Sequence, residues 1–171
     1  MTDHDVAALI ADPAVREATS GAEGIRIVRI FAAPPELIFA AWTTPEHFCR
    51  WFGEEDSTVK ADDVSMDVRV GGRWSSLMTH REGDEVFEFT FNGSYLVVDP
   101  PHHLVQTLED PGGSGSAEVL SVDLTDLGDG TTEMVFTQTG GNLPAEEYAR
   151  AMAGELVFLG RLEALLAELA G

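Results

Sequence analysis

The stretch YARAMAGELVFLGRLEALLAEL, Tyr148–Leu169, carries apolar residues at Tyr148, Met152, Leu156, Leu159, Leu162, Leu166 and Leu169. They step by three or four residues, which draws one apolar stripe along an amphipathic helix. Opened by Asn142 and Pro144, this helix runs for about 25 residues and roughly 38 Å, comparable to the width of a whole domain. Such a stripe needs a large apolar partner, and the chain ahead of it reads as a sheet. From Val59 to Gln138 strand follows strand. Turn signals recur at Gly71-Gly72, Glu82-Gly83-Asp84, Asp99-Pro100-Pro101, Pro111–Ser116 and Gly128-Asp129-Gly130, at hairpin-like spacing. An antiparallel meander of about six strands is expected.

Ahead of the meander, Ile25–Phe31 (IRIVRIF) reads as the first strand, buried on at least one face. Two short helices follow. Pro34 and Pro35 preset the first, while Thr44 then Pro45 is a cap followed by proline at the first helical position. Gly53 ends the second. Residues 1–24 read as an N-terminal extension, with one short amphipathic piece on Val6, Leu9 and Ile10 stopped by Pro13, and residues 25–171 as the domain. The fold class is α+β.

The 171 residues suit one domain with a sizeable core, and 44% hydrophobic with 23% charged residues is an ordinary globular composition. Ten Lys and Arg against 30 Asp and Glu give a formal charge of −20. That charge repels a phosphate backbone and an anionic membrane surface, so neither nucleic acid nor membrane is an expected partner. The lone Cys49 can form no internal disulfide and no cysteine-based zinc motif, and no early apolar run resembles a signal peptide, which together point to the cytoplasm.

Strand, two short helices, a meander and one long terminal helix is the helix-grip order, in which a curved antiparallel sheet wraps the last helix. The segments IRIVRIFAAPPELIFAAWTTPEHFCRWFG, DVRVGGRW, FNGSYLVVDPPHHLVQT, DGTTEMVFTQTG and GELVFLGRLEALLAEL together resemble the bacterial single-domain branch of the activator of heat-shock-protein-90 ATPase homologue family. That family lies in the START-like (SRPBCC) superfamily with its Bet v 1 type of fold. The likeness covers about residues 25–170. It implies one of several occupations: carriage of a small hydrophobic ligand, assistance to a chaperone, or polyketide cyclase or dehydratase chemistry. Where the family commonly has Trp after the glycine of its terminal helix, this chain has Glu155 after Gly154.

In HFCRWFGEED, His47–Asp56, the rings of Phe48, Trp51 and Phe52 stand at i, i+3 and i+4 and form one wall. That wall either plugs the open end of the sheet as core or lines a hollow beneath the terminal helix. The carboxylates Glu54, Glu55 and Asp56 read as a solvated loop. Strand alternation puts Trp74, Ser76, Met78 and His80 on one inner face and Phe87, Phe89, Phe91, Tyr95 and Val97 on another. The candidate ligand-binding residues are therefore Phe48, Trp51, Phe52, Trp74, Ser76, Met78, Phe89, Tyr95, Gln106 and Met152. Ser76, His80, Tyr95 and Gln106 are the polar groups in an otherwise apolar stripe, the usual make-up of a ligand site. An enzyme of the cyclase type would need a proton-transfer pair, for which His80 with Tyr95 is the available choice. His102 and His103 are adjacent and point apart, His4 and His47 have no ligand at metal spacing, and no metal or cofactor is expected.

Overall fold

The computed structural model describes residues 3–53, 57–109, 117–141 and 143–170. The readings placed on Glu54–Asp56, on Pro111–Ser116 and on Asn142 lie outside these residues. In chain order the elements are α1 (Asp3–Ile10), β1 (Val15–Gly21), β2 (Gly24–Phe31), α2 (Pro35–Thr43), α3 (Pro45–Trp51) and β3 (Ser57–Met66). Then come β4 (Arg73–Glu82), β5 (Glu85–Asp99), β6 (His103–Glu109), β7 (Ala117–Asp126), β8 (Thr132–Thr139) and α4 (Ala145–Ala170). The eight strands make one curved antiparallel sheet ordered β1-β2-β8-β7-β6-β5-β4-β3, and α4 lies on its concave face in the helix-grip manner.

Period-two alternation sorts the inner face. On β8, Thr132, Met134, Phe136 and Gln138 are buried, and on β7 the set is Glu118, Leu120, Val122 and Leu124. Register aligns these sets into cross-strand rows: Ile27, Phe136, Val122 and Leu104 form one, and Ile25, Gln138, Leu120, Gln106 and Tyr95 form the next. On α4 the residues Leu156, Leu159 and Leu162 are fully buried and Leu166 nearly so, as the seam requires. The helix backbone comes nearest to β1, α3, β2 and α1. Side chains from both sides join in one core with Tyr95, Leu104, Leu120 and Met152. Polar ties fix the helix at its edges: Arg29 Nη2 donates to Glu163 at 2.7 Å, and Arg161 Nη1 donates to the Gly53 carbonyl at 2.5 Å.

The chain start departs from expectation. Ile25–Phe31 belongs to the second strand, because Val15–Gly21 forms β1 and pairs with it through a hairpin at Ala22-Glu23. VREATSG hides this strand, since it is half-exposed and has no alternating apolar set to announce it. Thr44 does occupy the cap position of α3 with extended backbone, but its side chain makes no capping bond.

β5 changes partners along its length. Residues Glu85–Ser94 pair with β4, and residues from Tyr95 onward pair with β6. Gly93 sits at the bend, where a Cβ would lie 1.8 Å from the Thr107 carbonyl oxygen. Only glycine lets β6 approach this closely.

Candidate ligand site between the sheet and the terminal helix

The aromatic wall of α3 divides in two. Phe48 and Trp51 are fully buried core: Trp51 stands edge-on to Trp42 at 4.7 Å and to Phe48 at 5.3 Å, and its Nε1 donates to the Ala41 carbonyl at 2.9 Å. Phe48 also meets Trp74 at 6.1 Å, bringing the two expected walls together. Phe52 is different. It is half-buried, stacks on Phe48 at 4.5 Å, and turns its outer edges to Phe91 on β5 at 5.5 Å and Phe158 on α4 at 5.3 Å. Phe52, Phe91 and Phe158 thus make an aromatic rim joining α3, the sheet and α4.

Inside this rim the expected polar residues are buried without partners. Ser76 Oγ, Tyr95 OH and Gln106 Oε1 each lack a hydrogen bond, although Ser76 and Tyr95 are fully buried and Gln106 nearly so. An unpaired buried polar atom costs about 1–3 kcal/mol, so three on one concave face are not what packing alone would select. Burial, and secondarily the Asp67 charge, pushes the Tyr95 hydroxyl above the ordinary phenol range and keeps it protonated. Trp74, Met78 and Met152 are buried apolar neighbours on the two sides.

Two acidic residues join this set that period and spacing did not single out. Glu118 is buried on β7 with neither carboxylate oxygen in hydrogen-bond geometry, and burial raises its pKa, tempered by the nearby Gln138 amide. Glu155 is on α4 with Met152 at i−3, Leu159 at i+4, Tyr148 at i−7 and Leu162 at i+7, all buried, so its helical phase points it at the sheet. It has no hydrogen-bond or ion-pair partner among the described residues, and burial alone pushes its carboxyl up to about 8. Yet Glu155 is half-buried by accessible surface. The sequence did contain the signal, a lone acid inside the apolar stripe of the helix.

Other expected residues fall elsewhere. Phe89 and Phe87 are 46% and 39% exposed, because the outer reach of the β4–β5 hairpin extends past the helix that was to cover it. His80 pairs opposite Phe87 and its Nδ1 lies 3.0 Å from Ser57 Oγ. Tyr95 lies beyond the Trp74–Gly93 pair at the other end of β4. At about 3.3 Å per residue the two stand on the order of 20 Å apart, too far to share a proton. An open depression of about 460 Å³ at His102, His103 and Asp123–Asp126 holds none of the unpartnered atoms and is not the site. No described helix is long and apolar enough to cross a membrane.

Residues 32–167 match the family described as Activator of Hsp90 ATPase homolog 1-like protein. Among solved structures, a crystal structure of a protein from Chromobacterium violaceum is 24% identical, with 84% of this chain and 96% of that one covered and a TM-score of 0.70. A solution structure of a protein from Arthrobacter aurescens is 20% identical over 90% and 92% of the two chains, with a TM-score of 0.76. A protein from Aeromonas hydrophila that carries the family's name in its description is 20% identical over 85% and 94%, with a TM-score of 0.65. At these identities the likeness shows the fold alone. The comparison with curated proteins returned no match.

Proposed function

We propose, from the premise that this chain belongs to the family of Activator of Hsp90 ATPase homolog 1-like proteins, that it binds a small hydrophobic or aromatic molecule between the sheet and α4. The observation that carries this reading is the set of unpartnered polar atoms, Ser76 Oγ, Tyr95 OH and Gln106 Oε1, on an otherwise apolar concave face. A few convergent polar groups in an apolar surround fix the orientation of a bound molecule. Trp74 and Met78 from β4, Met152 from α4 and Phe52 at the rim supply the apolar contact, while Phe48 and Trp51 form the wall behind it. Catalysis is not part of the proposal, since His80 and Tyr95 do not meet. The lone Cys49 and the acidic surface suit a cytoplasmic carrier.

Native mass spectrometry of freshly purified protein, followed by titration with a small aromatic library read by tryptophan fluorescence, tests the reading. A co-purifying molecule or saturable quenching is expected. Protein that carries nothing and answers to no apolar probe would overturn it. A second reading, contact with a chaperone or another protein, is favoured by Phe87 and Phe89, exposed on one face of the β4–β5 hairpin. Replacing Phe87 and Phe89 by Ser would abolish that contact in a pull-down and leave small-molecule binding intact.

A further inference from the structure

Glu118 is a buried acid to which the ligand reading gives no role. It stands on the inner face of β7, 8% exposed, with both carboxylate oxygens shut off from solvent and neither in hydrogen-bond geometry. Backbone closes over it. A Cβ on Gly141 would lie 2.0 Å from Glu118 Oε1 and 2.4 Å from its Cδ, so the carboxyl rests against the bare α-carbon of that glycine. Gly140, with φ at +90°, makes the turn off the end of β8 that brings Gly141 there, and a side chain at 140 would be strained. Leu143 follows, partly buried against the core, and α4 begins at Ala145. The connection from β8 to the terminal helix therefore lies on a carboxyl that has nothing to bond.

We propose that Glu118 and the Gly140-Gly141 connection form a pH-sensitive latch: the protonated acid lets the connection close on β7, and ionisation lifts the connection and loosens the start of α4. A buried carboxylate is tolerated where a cation or several donors answer it, and otherwise it must neutralise or reach water. No such partner stands here among the described residues. β6 places Leu108 opposite Glu118, and the neighbouring Glu109 is engaged by Arg73 at 2.6 Å. β8 brings Gln138 and Thr139, and beyond it on β2 Arg26 is bound to Glu17 at 2.9 Å. On α4 the first titratable groups are Glu146, Glu147 and Arg150, all exposed, then the buried Tyr148, with the acid Glu155 two turns further along. Water is the recourse left to the charge, and the glycine pair is the part of the enclosure with least to hold it down. Burial raises the Glu118 pKa and the Gln138 amide offsets part of the rise, which agrees. The closed latch thus binds the proton more tightly than the open one. Closure is favoured below the ordinary carboxyl value near 4.5 and is lost as pH rises through the raised value. Because α4 roofs the concave face, the latch sets how readily that face is uncovered at the β7 end, with or without a ligand.

Hydrogen exchange of the whole protein between about pH 5 and pH 8 tests the latch, with each rate divided by the intrinsic chemical rate at that pH. In the wild type, opening of the peptide Thr139–Tyr148 should rise with pH, by up to about tenfold per unit. It should also stay well above that of the peptides covering Val122 and Phe136 in the β7–β8 ladder, which report unfolding of the whole sheet. In Glu118→Gln the side chain cannot ionise, and the rise should vanish. Gly141→Ala reaches the same readout by another route, because its methyl group takes the place of the carboxyl, expels it to water and removes the pH dependence. One folded variant is therefore enough. A wild-type peptide whose opening does not change with pH, one that opens only together with the ladder, or a rise that persists in either variant would each overturn the latch.

Discussion

Trp74 Nε1 donates a 2.9 Å hydrogen bond to the Thr107 carbonyl, reaching from β4 across β5 to β6 at the point where Gly93 opens the way. Ser94 N–H binds Thr107 Oγ1 at 2.9 Å beside it. A Cβ on residue 93 would sit inside that carbonyl, so Gly93→Ala has to push two strands apart and break both bonds. A loss of roughly 2–4 kcal/mol in urea unfolding is expected, with a red-shifted Trp emission as Trp74 loses its partner. Wild-type stability in this variant would mean that the approach of β6 to β5 is not as described.

Trp51 and Phe52 are sequence neighbours with different duties. Trp51→Ala leaves a large cavity in the core and an unpartnered Ala41 carbonyl, which should cost about 3–5 kcal/mol. Phe52→Ala trims a half-buried ring at the rim and should cost about 1 kcal/mol while weakening aromatic probes more than Trp51 packing would explain. Denaturant unfolding of the two variants beside probe titration of Phe52→Ala checks the division. Similar stability losses in both would return Phe52 to the core.

The stripe on α4 and the alternation on β4 were legible because each places one apolar face against one neighbour, and period alone then fixes what is inside. β1 was not legible, since a half-exposed edge strand such as VREATSG is held by hydrogen bonds that leave no side-chain period. Phe87 and Phe89 carry the right period and remain exposed, because alternation tells which face a residue occupies and not how far the covering helix extends. The choice between plug and lining needed the structure as well: Phe48, Trp51 and Phe52 share one helical face, yet burial and the contacts to Phe91 and Phe158 separate the rim ring from the two core rings. Glu155 and Glu118 were passed over for a related reason. A carboxylate in sequence reads as surface until the neighbouring positions are known to be buried.

Leu159 is fully exposed to the sheet and not at all to solvent, whereas Ala164 on the same helix faces outward. Leu159→Asp should destabilise by several kcal/mol, on the order of an unpaired buried charge, and Ala164→Asp by about 0.5 kcal/mol or less. Thermal unfolding of the pair separates helix propensity from burial, because both variants place the same residue in the same helix. Equal melting temperatures would show that the seam is misplaced.

The pH dependence of stability follows from Glu155. Its ordinary pKa near 4.5 applies to the unfolded chain, and burial holds it near 8 in the fold. Between those values the folded state keeps a proton that the unfolded state releases. Stability is therefore greatest below about pH 4.5 as far as this group is concerned, falls as pH rises through the window, and reaches its floor above about pH 8. The loss across the window is on the order of 4 kcal/mol. Glu118 is shifted in the same direction and steepens the slope, so the wild type alone does not isolate either acid. Glu155→Gln does: the amide cannot ionise, and the difference in unfolding free energy between wild type and variant should change by about that amount from pH 5 to pH 8.5. A difference that stays constant with pH would show that Glu155 is ionised in the folded protein and that its carboxyl reaches bulk water.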